Sequence, residues 1–162
     1  MAFQDVSSTN LLTVNEVTNE KFEEVDAEGG TLLLDNRRIC ESAKHRIPGF
    51  AQGSGSYSSG IHRIRFRILR GFLFVGIRSR NLPVQVDDHG ENRSYNKNSC
   101  TCGSLNANDI YVLTLNCDER RLSITLPNGP QHDEIEVDLV HTPFPWRFCV
   151  MLTRIGGCLS LE

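Results

Sequence analysis

Residues Gly53 to Leu69, "GSGSYSSGIHRIRFRIL", decide how the chain is read. A glycine–serine run opens the stretch, and alternating arginine and large apolar residues close it. A phosphate-binding loop would need a lysine followed by serine or threonine, then a helix whose N-terminus faces the anion. After Gly60 comes Ile61-His62-Arg63, so that lysine is absent. Instead Ile64, Phe66 and Ile68 alternate with Arg63, Arg65 and Arg67. A period of two places the two sets on opposite faces of a strand. The apolar trio is expected to face a core. The arginines are expected to face solvent and pair with Asp133, Glu134, Glu136 and Asp138 of "DEIEVDLV", which alternates in the complementary sense. Gly53 to Gly60 then reads as a flexible approach to a central strand.

Working outward, strand-like runs recur and helical periods do not. Short β-type runs are "TLLLD" near Leu33, Ile61 to Leu69, Phe72 to Ile77, Ile110 to Leu115, Leu122 to Leu126, Ile135 to Val140, Arg147 to Thr153 and Cys158 to Leu161. Turn residues separate them, among them "RG" at 70–71, "PNGP" at 127–130, "TPFP" at 142–145 and "GG" at 156–157. Such spacing predicts an all-β chain, an antiparallel sandwich or barrel. Residues 1–27 read as a polar N-terminal extension with one short strand in "LLTVNEV", and 28–162 as the domain. A long connection, Arg78 to Asn108, holds one brief strand at Val84 to Val86; loops of that length are often functional.

Composition narrows the function classes. The 162 residues carry a formal net charge of -3, so no global attraction to nucleic acid or anionic membrane is expected. The first twenty residues lack the basic start and apolar run of a signal peptide. No apolar segment reaches the ~18 residues of a membrane helix. These features predict a soluble, cytoplasmic, monomeric protein. The six cysteines, Cys40, Cys100, Cys102, Cys117, Cys149 and Cys158, read as free thiols. The spacing of "CTC" at Cys100 to Cys102 fits neither a zinc knuckle nor a redox pair. Asp87-Asp88-His89 with Glu91 lacks the spaced oxygen ligands of a calcium loop, and the sequon Asn92-Arg93-Ser94 needs secretion to matter. With no G-x-S-x-G elbow and no nucleophile–base pair, no catalytic residue, metal or cofactor is predicted. His62 reads as a structural histidine.

The opening stretch also carries a family likeness. Ser59, Gly60 and His62, followed by Ile64, Phe66 and Ile68, resemble the "SGxHxxxxxI/V" strand of SPRY domains. "FLFVGIRSR" resembles the family's "WAVGVA" strand, with Val75-Gly76-Ile77 in register. "NDIYVLTLNCDERRLSITLPNG" is similar to its "GDVIGVLLDLDRGTLSFFKNG" hairpin, matching at Asp109, Leu115, Asp118, Leu122, Asn128 and Gly129. "PWRFCVMLTRIGGCLSLE" looks like the closing strands. The likeness spans Gly30 to Glu162. It departs at "SYNKNSCTCG", which replaces the family's tryptophan-glycine-tyrosine cluster, and in the preceding PRY segment, of which "LLLDNRRICESA" is at best an echo. The resemblance implies a two-sheet antiparallel β-sandwich of the concanavalin A-like kind. It also implies a non-catalytic module that recognises a protein or peptide through loops at one edge, as part of a ubiquitin-ligase adaptor or TRIM-like protein. A lectin-like module and nucleic-acid contact through the arginine strand are the alternatives.

Partner-binding candidates lie in the loops. Tyr57 flanks the glycine–serine run; Arg78, Arg80 and Asn81 open the long connection; Tyr95 sits within it among Arg93, Asn96, Lys97 and Asn98. An aromatic among adaptable polar groups suits peptide recognition, and arginine could grip a carboxylate or carbonyl bidentately. Trp146, in "TPFPWRF", is either an exposed anchor or a core plug beside Phe144 and Phe148.

Overall fold

The computed structural model describes residues 12–25, 29–43, 48–82, 99–102, 105, 107–126, 129 and 131–162, and every regular element among them is a strand. In chain order these are β1 Val14–Val17, β2 Phe22–Val25, β3 Thr31–Leu34, β4 Ile39–Ser42, β5 Gly49–Gly53, β6 Ile61–Ser79, β7 Ser99–Cys102, β8 Ile110–Asn116, β9 Arg121–Thr125, β10 Gln131–Glu136 and β11 Trp146–Leu161.

Two long strands organise the rest. β6 has 19 residues and β11 has 16, and they pair antiparallel from Trp146↔Ser79 to Leu161↔Phe66. The sequence predicts turns at Arg70-Gly71 and Gly156-Gly157; the structure instead carries each strand straight through its glycine. The reason is local. Gly71 and Gly156 take φ of 77° and 92°, a left-handed conformation that bends a strand without ending it. Gly71 lies opposite Gly157 in the ladder, where a bulge interrupts the pairing.

That fold divides one connected sheet into two layers. The first runs β10-β9-β8, the early half of β6, the late half of β11, then β4-β3; β1 joins β6 in parallel. The second runs β7, the late half of β6, the early half of β11, then β5 and β2. The expected sandwich is therefore a single sheet, antiparallel except at β1, folded over itself and curved nearly into a barrel.

Alternation along β6 supplies the seal between layers. Ile64, Phe66 and Ile68 are buried, as their spacing requires. The Phe66 ring centroid lies 5.7 Å from Tyr111 in its own layer and 6.2 Å from Phe148 in the other. Each such side chain contributes about 1.5–3 kcal/mol on leaving water. The arginines face outward, but their partners are not the ones the alternation of "DEIEVDLV" suggests. Arg63 pairs with Glu16 of β1 at 3.3 Å and Arg67 with Glu162 at 3.0 Å. β10 lies three strands from β6, so Glu134 pairs with Arg121 of β9 instead, at 2.7 Å. That strand also ends earlier than its apolar pattern suggests. Asp138 accepts a hydrogen bond from the Val140 amide at 2.8 Å and turns the chain.

Within the polar extension, β1 and β2 are strands of the two layers, paired with β6 and β5. A further stitch comes from the β3–β4 turn, where Asp35, Asn36 and Arg37 all have positive φ. Its Arg37 carbonyl accepts from the Phe22 amide of β2, and its Arg38 carbonyl from the Leu161 amide of β11, both at 2.8 Å. The expected strand at Val84 to Val86 lies outside the described residues, as do Asp87, His89, Glu91 and Asn92.

Two glycine substitutions separate strain from collision at the fold line. A Cβ on Gly156 would meet nothing within 4 Å, whereas one on Gly71 would lie 2.4 Å from the Gly156 carbonyl oxygen. Gly156→Ala is expected to cost about 1–2 kcal/mol, the left-handed conformation alone. Gly71→Ala should cost clearly more, and urea unfolding of both variants measures the difference.

Candidate functional site

Four strand ends of the second layer meet at one place. Gly53 closes β5 opposite Phe22, which opens β2, and Ser79 closes β6 opposite Trp146, which opens β11. The glycine–serine loop, the chain leaving β6 at Arg80 and the 142–145 segment emerge there together. Tyr57 bridges to Trp146 through both backbone groups, at 2.8 and 2.7 Å, and the Arg80 amide bonds the Pro145 carbonyl at 2.8 Å. The chain re-enters the same layer at Ser99, opposite Arg78.

Beneath the loop lies a charged floor. Glu20 is buried, accepting hydrogen bonds from the Tyr57 hydroxyl, the Gly55 amide at 3.0 Å and the Ser54 hydroxyl at 3.4 Å. Arg147, its side chain 3% exposed, donates two bonds to the Gly53 carbonyl at 3.0 and 2.8 Å. Its guanidinium also pairs with Glu23 at 3.2 Å and Glu24 at 3.4 Å. A register shift between Phe22 and Glu24 lets two consecutive carboxylates reach one guanidinium. Arg80 completes the set, donating to the carbonyls of Ser54 and Gly55 at 3.1 and 3.2 Å and to Glu23 at 3.1 Å.

These contacts explain the loop's composition. A Cβ on Gly55 would lie 2.3 Å from the Tyr57 hydroxyl and 2.5 Å from Glu20, and one on Gly53 would lie 2.4 Å from Glu20. The glycines are small because the backbone presses onto the carboxylate. The loop is thus anchored at its base, which corrects the expectation of a flexible approach. Ser54, Ser56, Ser58 and Ser59 remain exposed.

Burial sorts the sequence-derived candidates. Tyr57 and Arg78, expected to face a partner, and Trp146, left open between anchor and core, lie beneath the surface, 6%, 4% and 0% exposed. Tyr57 serves the Glu20 carboxylate and packs at a tilt against His62, with ring centroids 4.8 Å apart. Trp146 is a core plug, donating its indole N–H to the Thr142 carbonyl at 2.9 Å and packing 4.6 Å from the Phe144 ring. Arg80 is half-buried and engaged as described, and Asn81 is exposed. Tyr95 lies outside the described residues. His62 is structural, its ring nitrogens bonding the Ser59 carbonyl at 2.7 Å and the Asn15 amide at 3.1 Å. Glu20, Glu23 and Glu24 were not anticipated, because they sit in a short strand and a polar stretch that carry no motif, and Arg147 was read only as the start of a strand. The one available signal was "WRF", an arginine inside an apolar strand.

Among the described residues no group of three or more His, Cys, Asp or Glu side chains is placed to hold a metal ion. Cys40, Cys117, Cys149 and Cys158 are buried free thiols. Burial, reinforced by Asp118, pushes the Cys117 thiol up to about 11.

Burial, and then the adjacent Glu20 carboxylate, push the Tyr57 phenol well above its ordinary range. The folded chain thus holds this proton more tightly than the unfolded chain. The corresponding stability is complete below about pH 10, the unfolded phenol value, and is lost as pH rises through the folded one. Urea melts from about pH 8 to about pH 11 should show a steeper loss for the parent chain than for Tyr57→Phe.

No family model matches the chain, and no curated protein matches it. Solved structures do. The TRIM65 PSpry domain superposes with a TM-score of 0.64 at 15% identity, over 91% of this chain and 90% of that one. Stonustoxin gives 0.65 at 10% identity, over 91% of this chain and 27% of the toxin chain. The SPRY domain of human HERC1 gives 0.56 at 15% identity, over 85% and 96%. At such identities the likeness is one of fold, and it agrees with the strand order, the folded sheet and the buried Ile64–Phe66–Ile68 seal: the chain folds as a SPRY-like domain.

Proposed function

We propose that this chain is a non-catalytic module that recognises a protein or peptide through the loops at the end of its second layer. One observation carries the reading. The backbone of Gly53 to Gly55 is held from below by Glu20, Arg80 and Arg147, while Ser54, Ser56, Ser58, Ser59 and Asn81 stay exposed above it. Adaptable polar groups on a stiff scaffold suit recognition, because a pre-ordered loop loses little entropy on binding.

The SPRY-like fold supports the same reading, since the family resemblance implies an interaction role for edge loops. Tyr95, in the connection that leaves β6 here, is assigned the aromatic contact. A module of this kind suits an adaptor, of the ubiquitin-ligase or TRIM-like sort, working in the cytoplasm as a monomer.

Asn81→Ala combined with Tyr95→Ala tests the assignment, using a peptide selected from a display library against the immobilised chain. Affinity should fall about tenfold or more, the scale of a lost interface anchor. The melting temperature of the Asn81→Ala single variant should stay that of the parent, because Asn81 is exposed. Unchanged binding by the double variant would remove this site.

A further inference from the structure

Most of the charges at the loop end are engaged within it. Glu23 is shared between Arg80 and Arg147, and Glu24 pairs with Arg147. Glu20 is occupied by Tyr57, the Gly55 amide and Ser54. Arg78, buried, lies opposite Arg147 in the ladder. Three carboxylates and three guanidinium groups thus stand together here in equal number. Lys21 meets the loop through its carbonyl, which accepts from the Ser54 amide at 2.8 Å.

Arg80 is half-buried at this end, and its bonds are already assigned. Turning it toward a partner's carboxylate would abandon Glu23 and the carbonyls of Ser54 and Gly55. Oxygen atoms stripped of donors this way carry a penalty that offsets the new pair. On the loop itself and at Asn81, the hydrogen-bonding capacity left over among the described residues is neutral. The exposed side chains of Ser56, Ser58 and Asn81 make no hydrogen bond or ion pair among the described residues. The Ser59 hydroxyl is also exposed, only its carbonyl being engaged, by His62.

We propose that the partner presented to this end is an uncharged, hydrogen-bonding stretch of peptide, read by Ser56, Ser58, Ser59 and Asn81. Arg80 is a positioning residue, not a grip for a partner's carboxylate. This rests on the recognition reading above and adds the chemistry of the ligand. It replaces the bidentate role that arginine at this position suggests from sequence.

The test pans random peptides displayed on phage against the full chain and against a Ser56→Ala/Ser58→Ala variant. Each enriched peptide is then titrated at about 50 and about 500 mM NaCl. Peptides that require the two serines should carry Ser, Thr, Asn or Gln at their contact positions, and their affinity should change less than about twofold with salt. Acidic motifs whose affinity falls about tenfold at high salt, and is lost in Arg80→Gln, would overturn the inference while leaving the module reading in place. Failure to enrich any peptide would sink the module reading and this inference with it. Amide exchange supplies the second readout. Arg80→Gln should speed exchange at residues 54–60, whereas Asn81→Ala should not; equal exchange in both variants would end the positioning role.

Discussion

The ladder between β6 and β11, creased where Gly71 faces Gly157, is the constraint on which the rest depends. Each strand is long enough to serve both layers, so the same pair of segments forms the middle of each. Every other strand but β10 attaches to this pair or to a neighbour of it, and β10 lies one strand farther out, on β9. Because the crease is made by residues without a Cβ, hydrogen bonding resumes on its far side. The alternation of Ile64, Phe66 and Ile68 then places their side chains against Phe148 and its neighbours across the gap. The core is a product of that geometry as much as of hydrophobicity.

The architecture was legible in the sequence wherever side chains alternate. The Arg63–Ile68 stretch shows which face is buried, and the runs at 31–34, 110–116 and 121–125 appear as strands in both readings. Glycine misled at 71 and 156, because a left-handed glycine that creases a strand looks in sequence like one that ends it. The strands of "FEEV", "ICES" and "GFAQG" were illegible for another reason. Each is four or five residues long and polar or small, so its conformation is imposed by a neighbour and not by its own pattern.

The loop end shows the same division. That the glycine–serine stretch leads into a central strand could be read directly. That its backbone rests on Glu20, Arg80 and Arg147 could not, since these residues come from three distant parts of the chain and none belongs to a motif. Tyr57 and Trp146 have the residue types of binding anchors, yet both were recruited into the support. Aromatic identity reports affinity for an apolar or half-polar environment, and a protein interior satisfies that as well as a partner does.

The left-handed turn at Asp35 to Arg37 joins segments from opposite extremes of the chain. It fastens Phe22 on one side and Leu161 on the other, so the clasp closes only after the final strand exists. During synthesis β4 and β5 therefore wait, an edge of each without its mate, until about ninety or more further residues have been made. Assembly of this domain is governed by its most sequence-distant bonds, the regime in which loop-closure entropy makes β topologies slow to form and edge strands vulnerable to other chains.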